Sequence, residues 1–278
     1  MGLMQFSFLS KTLGYHTNVY VILPVDNFWA PGSDIKSVYS EVKPLQTLYL
    51  LHGGGGNGLD WLRFTSIERY AQEHNIAVVM PEILGDGFYT DMKFGYDCFT
   101  YITEELPVIM ENYLPISGRR EDRFVAGLSM GGYGAIKWAF RKPEFFSAAA
   151  GLSGVSLVYD LFSERGFSAD GDPNENNVVN NCFGGLEKLK DSLDDTKHLI
   201  DQAVENNVKL PALYVCIGTE DFTYQFTKDY MEYARAKGLE ITYEDGPGKH
   251  DWQFWDTYIQ RVLNWLPINK NTEQRQEA

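Results

Sequence analysis

Gly127-Leu128-Ser129-Met130-Gly131 stands between the apolar run Arg123-Phe124-Val125-Ala126 and a stretch of helical period from Gly132 to Arg141. A G-x-S-x-G frame entered by a strand and left by a helix is the elbow that presents a nucleophilic serine. The flanking glycines are required because the serine occupies a tight, strained turn, where a side chain on either side would collide with backbone. No other serine in the chain has this frame, and a glycine-rich turn with an incidental serine is the plainer alternative.

Outward from the elbow, short β-rich apolar runs at 17–23, 46–51, 76–80, 123–126, 148–152, 212–217 and 239–243 alternate with segments of helical period. Those segments, 59–74, 97–113, 132–141, 223–237 and 252–266, carry apolar residues three and four apart. Such alternation predicts an α/β fold, a mostly parallel central sheet with helices on both faces, and with the elbow it predicts the α/β-hydrolase class. Residues 1–24 read as a pair of strands. A chain of 278 residues, 44% hydrophobic, can bury one large core, so a single domain spanning 1–278 is expected. Residues 155–210 break the alternation: Asp, Asn, Gly and Ser cluster around 169–181 before a charged, helix-like stretch at 186–205. This segment reads as a cap-like insertion over the C-terminal edge of the sheet, and a solvated connection is the bland alternative. Pro267 stops the last helix, and a frayed polar tail is expected beyond it.

A serine hydroxyl is a weak nucleophile and needs a base within reach, itself oriented by a third group. In this fold the chain order is Ser, then Asp or Glu, then His. His16, His52 and His74 precede Ser129, and His198 lies in the polar segment with no strand end before it. That leaves His250, carried by the Gly- and Pro-containing loop 244–249. The acid should close the strand at 212–217, which runs into Gly218-Thr219-Glu220-Asp221. Asp221 is the expected residue, with Glu220 as its one-residue alternative; Asp245 and Asp251 sit too near His250 in sequence. An oxyanion requires preorganised N–H donors, one from Met130 and one from the glycine run after His52. That run, Gly53-Gly54-Gly55-Gly56, lacks the Lys-Ser/Thr ending of a phosphate loop, and His52 itself reads as structural.

The net charge of −14 should repel phosphate backbones and anionic membrane surfaces, so neither nucleic acid nor membrane is an expected partner. The first 24 residues lack the basic start and apolar stretch of a secretion signal, and no segment approaches a spanning length, so a cytoplasmic location is expected. Cys98, Cys182 and Cys216 have neither paired metal-ligand spacing nor an even count, and they read as reduced packing residues. A homo-oligomer is compatible with all of this.

Tyr89-Thr90-Asp91-Met92-Lys93, Tyr101-Ile102-Thr103-Glu104-Glu105-Leu106-Pro107 and Gly127 through Ala135 together resemble the esterase D family, within it the bacterial tributyrin esterases. The resemblance is strong over about 47–152 and resumes at 214–221 and 248–255. It implies hydrolysis of short-chain acyl esters without metal or organic cofactor, with Ser129, Asp221 and His250 as the triad. By the same match Gly54 and Met130 would form the oxyanion hole, although the four glycines leave the second donor open among Gly53, Gly54 and Gly55. The family also contains S-formylglutathione hydrolases, feruloyl and acetyl-xylan esterases and acyltransferases, so the fold does not choose the substrate. Tyr89, Lys93 and Trp252 are the expected substrate contacts; Phe88, Phe222, Tyr224 and Trp255 also flank the catalytic loops, and Asp91 and Lys93 are candidates for lining the alcohol side, a surface ion pair between them being the plainer alternative. A small-molecule ester is the expected partner. Glutathione thioesters are disfavoured by the acidic charge, and a catalytically dead binding module is the alternative of a different class.

Overall fold

The computed structural model describes residues 1–25, 32, 34–35, 44–154, 157–164 and 173–268. Strands β1 (Gly2–Leu9) and β2 (His16–Leu23) form an antiparallel hairpin, and β2 pairs antiparallel with β4 (Ala77–Pro81). Every later pairing is parallel: β4 with β3 (Thr47–Leu51), then β3 with β5 (Arg123–Leu128), β6 (Ala148–Leu152), β7 (Ala212–Gly218) and β8 (Thr242–Gly246) in succession. The resulting order is β1-β2-β4-β3-β5-β6-β7-β8.

The inner strands β3, β4 and β6 are buried at every position, which fits strands whose two faces are both covered. On one face, Tyr49, Val79, Val125 and Ala149 meet Ile102, Met110, Trp138 and Tyr230. On the other, Leu48, Leu50, Val78 and Ala126 meet Trp61, Tyr70, Ile259 and Val262. Alternate residues along each strand thus feed opposite cores.

Three boundaries differ from the periodicity. The helix expected at 59–74 is two, α1 (Asp60–Phe64) and α2 (Ile67–Glu73). Between them the Thr65 hydroxyl donates to Trp61 O and accepts from Ile67 N–H, competing with the helical ladder. The helix expected at 97–113 starts at Cys98 and changes type along its length, as α3 (Cys98–Thr100), a π-turn at Tyr101–Glu105 and α4 (Leu106–Tyr113). The strand expected at 239–243 starts only at Thr242. Gly238, at φ +81°, turns the chain out of helix α10 (Tyr224–Ala236), while Leu239 donates to Ala234 O and packs on the first core.

The elbow helix α5 (Met130–Arg141) follows β5 directly. Between β6 and β7 lie α6 (Leu157–Glu164), α7 (Pro173–Phe183), α8 (Leu186–Leu189) and α9 (Thr196–Glu205). Val158, Phe162, Val179, Phe183 and Leu189 form a third apolar cluster against Tyr133 of α5. The described part of 155–210 contains these four helices; residues 155–156 and 165–172, the latter overlapping the polar cluster around 169–181, lie outside the described residues, as does the tail from 269. The last helix, α11 (Trp252–Trp265), ends before Pro267. Among the described residues no helix is long and apolar enough to cross a membrane.

Candidate active site

Ser129 joins β5 to α5 at φ +51°, ψ −121°, a conformation that costs energy for any residue with a Cβ. Both flanking glycines are obligatory. A Cβ on Gly127 would overlap the Gly131 carbonyl, and one on Gly131 would overlap the carbonyls of Leu51 and His52. The serine N–H donates to Leu152 O at 2.8 Å, which fixes the turn against the end of β6.

Three strand ends converge here. His250 Nε2 lies 2.9 Å from Ser129 Oγ, and His250 Nδ1 lies 2.8 Å from Asp221 Oδ2. The other Asp221 oxygen accepts from both the N–H and the hydroxyl of Thr223, each at 2.8 Å. Burial alone would raise the Asp221 pKa, but the hydrogen bonds from His250 and Thr223 outweigh it and hold the carboxyl below its ordinary value. An ionised Asp221 requires the proton on Nδ1, so Nε2 faces Ser129 as an acceptor. Glu220 is exposed and Asp251 caps α11 by accepting from Phe254 N–H, so neither competes for the histidine. Asp245 instead accepts from the hydroxyls of Tyr224 and Tyr243.

The glycine run lies beside the elbow: a Cβ on Gly53 would stand 3.5 Å from Ser129 Cβ. Gly55 N–H is already committed to Asp86 Oδ1 at 2.8 Å, which removes it from the candidate donors. The Gly53 carbonyl accepts from His52 Nδ1 at 2.8 Å and from Gly56 N–H at 3.2 Å. Across the planar trans peptide, Gly54 N–H points the opposite way. Ile83 N–H donates to His52 Nε2 at 3.3 Å, so that nitrogen is the acceptor and Nδ1 carries the proton. Burial lowers the His52 pKa and keeps the ring neutral. Met130 N–H, at the first position of α5, has no intrahelical acceptor.

Tyr89 requires a correction. It has no exposed surface; its hydroxyl donates to the His52 carbonyl at 3.0 Å, and its ring fills the space above Gly134, so it braces the glycine loop from below and does not line a substrate wall. Asp91 does not pair with Lys93, because its carboxylate accepts from the N–H and hydroxyl of Thr100. Lys93 is exposed, its stem beside Gly184 and its N–H bonded to Cys182 O. Trp252 is half-buried among Trp61, Phe64 and Trp255 at 5.0–5.3 Å. Phe88 packs on Phe162 and Phe183 and belongs to the third cluster. Phe222, 53% exposed, lies 4.7 Å from the His250 ring, and buried Trp255 lies 5.0 Å from it. All three cysteines are buried; burial pushes the Cys98 and Cys182 thiols up to about 12. Thr223 was legible as the residue two after Asp221, a spacing at which Asp side chains bond local backbone, whereas Asp86 left no signal.

This sheet order, with a serine elbow after its fifth strand, defines an α/β-hydrolase. The chain belongs to the esterase family whose model, described as "Putative esterase", matches residues 10–266. It is 32% identical over 271 residues to an acetyl esterase of Caldicellulosiruptor saccharolyticus, covering 96% of this chain and 98% of that protein. Two solved Staphylococcus aureus structures, each 34% identical, cover 95% of this chain and 98% of theirs. One is the substrate-bound fluorophosphonate-binding serine hydrolase FphF, at TM-score 0.82, and the other an S-formylglutathione hydrolase apoenzyme, at TM-score 0.79. The protein is a carboxylic ester hydrolase, and the binding-module alternative falls.

Proposed function

We propose that the protein is a serine carboxylesterase of the esterase D type, close to the tributyrin esterases, that hydrolyses short-chain acyl esters through Ser129, His250 and Asp221. The unbroken relay from Asp221 through His250 to Ser129 Oγ carries this reading. Ser129 Oγ attacks the ester carbonyl as its proton passes to His250 Nε2, and Asp221 holds the imidazolium. The negative oxygen forms between the N–H groups of Met130 and Gly54. Collapse transfers the His250 proton to the leaving alcohol and leaves an acyl-Ser129. A water then gives its proton to His250 and attacks the acyl carbon; collapse breaks the bond to Ser129 Oγ, which takes the proton back from His250 as the acid leaves. No redox change or cofactor is needed.

The acetyl esterase relative supports short acyl groups. A second reading, carbohydrate acetyl or feruloyl ester hydrolysis, is favoured by Phe222, whose exposed ring lies 4.7 Å from that of His250, where it can stack on a ring in the alcohol or acyl part. S-formylglutathione hydrolysis ranks lower, since a chain of net charge −14 must build local positive potential to attract an anionic thioester, and acyl transfer has no observation in its favour. The same charge supports a neutral ester as the substrate.

Ser129→Ala should lose on the order of 10⁶ in rate, and a fluorophosphonate should label the wild-type chain at Ser129 alone. Substantial turnover by the alanine variant, or labelling elsewhere, sinks the assignment.

A further inference from the structure

We propose that Ser153 and Trp255 form a positioning brace that sets the distance between Ser129 and His250; this rests on the reading of His250 as the catalytic base. Ser153 follows β6, is fully buried, and holds φ at +55°, a left-handed value that glycine would take without strain. Its backbone is tied down twice. Ser153 N–H donates to Cys216 O of β7 at 2.9 Å, and the preceding carbonyl, Leu152 O, receives the N–H of Ser129 itself. The next residue, Gly154, passes so close to Ser129 that a Cβ there would overlap the nucleophile's carbonyl oxygen.

The Ser153 hydroxyl is thus held in a frame fixed to the elbow, and it accepts from Trp255 Nε1–H at 3.1 Å. Trp255 is 6% exposed, and its ring meets the His250 imidazole edge-on, with centroids 5.0 Å apart and planes at 86°. His250 sits on a loop, where its two hydrogen bonds and the Phe222 ring 4.7 Å away also hold it. Through Ser153 and Trp255, its ring is referred back to the backbone that carries Ser129. A serine kept where the backbone favours glycine supplies what glycine lacks, an oxygen for the indole.

The test compares Ser153→Gly, Trp255→Phe, their double variant and His250→Gln, with kcat expressed per serine titrated by a fluorophosphonate and Tm measured in parallel. Misplacing a catalytic group by about 1 Å costs about a hundredfold, so each single variant should lose roughly ten- to a hundredfold in kcat per titrated serine with KM within about twofold. The double variant should be no slower than the worse single, because both remove the same bond. A purely structural role would lower Tm or the titratable fraction and leave kcat per titrated serine at the wild-type value; that outcome, or defects that multiply, overturns the brace. If His250→Gln is inactive while both singles match wild type, the brace fails and the triad stands. If His250→Gln turns over normally, the triad reading falls and takes the brace with it.

Discussion

Lys137 has no exposed side-chain surface, and its ammonium meets the Asp194 carboxylate at 2.8 Å. The lysine also donates to Phe88 O, while Asp194 accepts from the Thr90 hydroxyl, so the pair joins the elbow helix, the 88–90 turn and the residues preceding α9. Burial pulls the Lys137 pKa down and Asp194 works against it; Asp194 itself, despite burial, lies below its ordinary value because of Lys137. Removing one partner of a buried pair strands the other charge and costs about 3–5 kcal/mol. Asp194→Ala should therefore destabilise more than Lys137→Met, since Asp194 retains some solvent contact and Lys137 none, and Lys137→Met with Asp194→Leu should recover much of the loss. Urea denaturation of the three variants checks this; equal losses for both singles would refute the asymmetry.

Asp221 is expected to matter for both rate and acid stability. Asp221→Asn should lose around 10⁴ in kcat, as when a triad histidine loses the partner that fixes its tautomer, whereas Glu220→Gln should be mild. Because the folded pKa of Asp221 is depressed, its stabilising contribution is fully present above the ordinary carboxylate value of 3.8 and disappears as pH falls through the folded value. The Tm gap between wild type and Asp221→Asn should consequently narrow between pH 6 and pH 3, taking those as rough limits around the shift. A gap that stays constant would show that the aspartate is not held as an anion.

Tyr89→Phe deletes one hydroxyl and leaves the buried His52 carbonyl without that donor. The loss should cost about 1–3 kcal/mol in stability. Loosening the loop should also lower kcat, by less than the 10²–10³ typical of deleting an oxyanion donor outright. Gly54→Ala should be more severe in rate, since its Cβ would stand 2.8 Å from Asp86 Oδ1 and push apart the carboxylate that anchors Gly55. Steady-state kinetics on both variants decide whether the loop is held as described; wild-type kcat in Tyr89→Phe would show that it is not.

Acyl length should give a maximum at short chains. Each methylene buried in a fitting pocket contributes about 0.8 kcal/mol, so kcat/KM should rise from acetate to butyrate. Once the pocket is filled, displacing packed side chains costs roughly 1–3 kcal/mol, and activity should fall about tenfold or more by octanoate. The series is run beside a feruloyl ester and an acetylated xylo-oligosaccharide. Octanoyl preference would refute a short pocket; preference for the sugar, abolished in Phe222→Ala or Trp252→Ala, would promote the carbohydrate reading.

The elbow was legible in the sequence because its requirements are local: two glycines where Cβ atoms cannot fit, a strand before them and a helix after. The expectation of His250 and Asp221 followed from chain order and strand ends; the histidine lies within hydrogen-bond distance of both Ser129 and Asp221. Other features depend on partners remote in the chain. Tyr89 looked like a substrate wall because it neighbours the catalytic loops in sequence; only the fold brings its hydroxyl under a carbonyl 37 residues away. Lys137 has the spacing of a solvated helix position, yet α5 is enclosed and its counter-charge arrives from 57 residues further on. The start of β8 was misread because Leu239 and Ile241 alternate as a strand would, while a helix cap and the first core claim them. Amino-acid pattern therefore determined the sheet, the elbow and the order of the triad, all set by backbone sterics and burial along the chain. Which buried polar group meets which, and hence what holds the glycine loop and the histidine in place, was decided only by tertiary packing, because a hydrogen bond depends on ångström-scale approach between residues that sequence spacing leaves far apart.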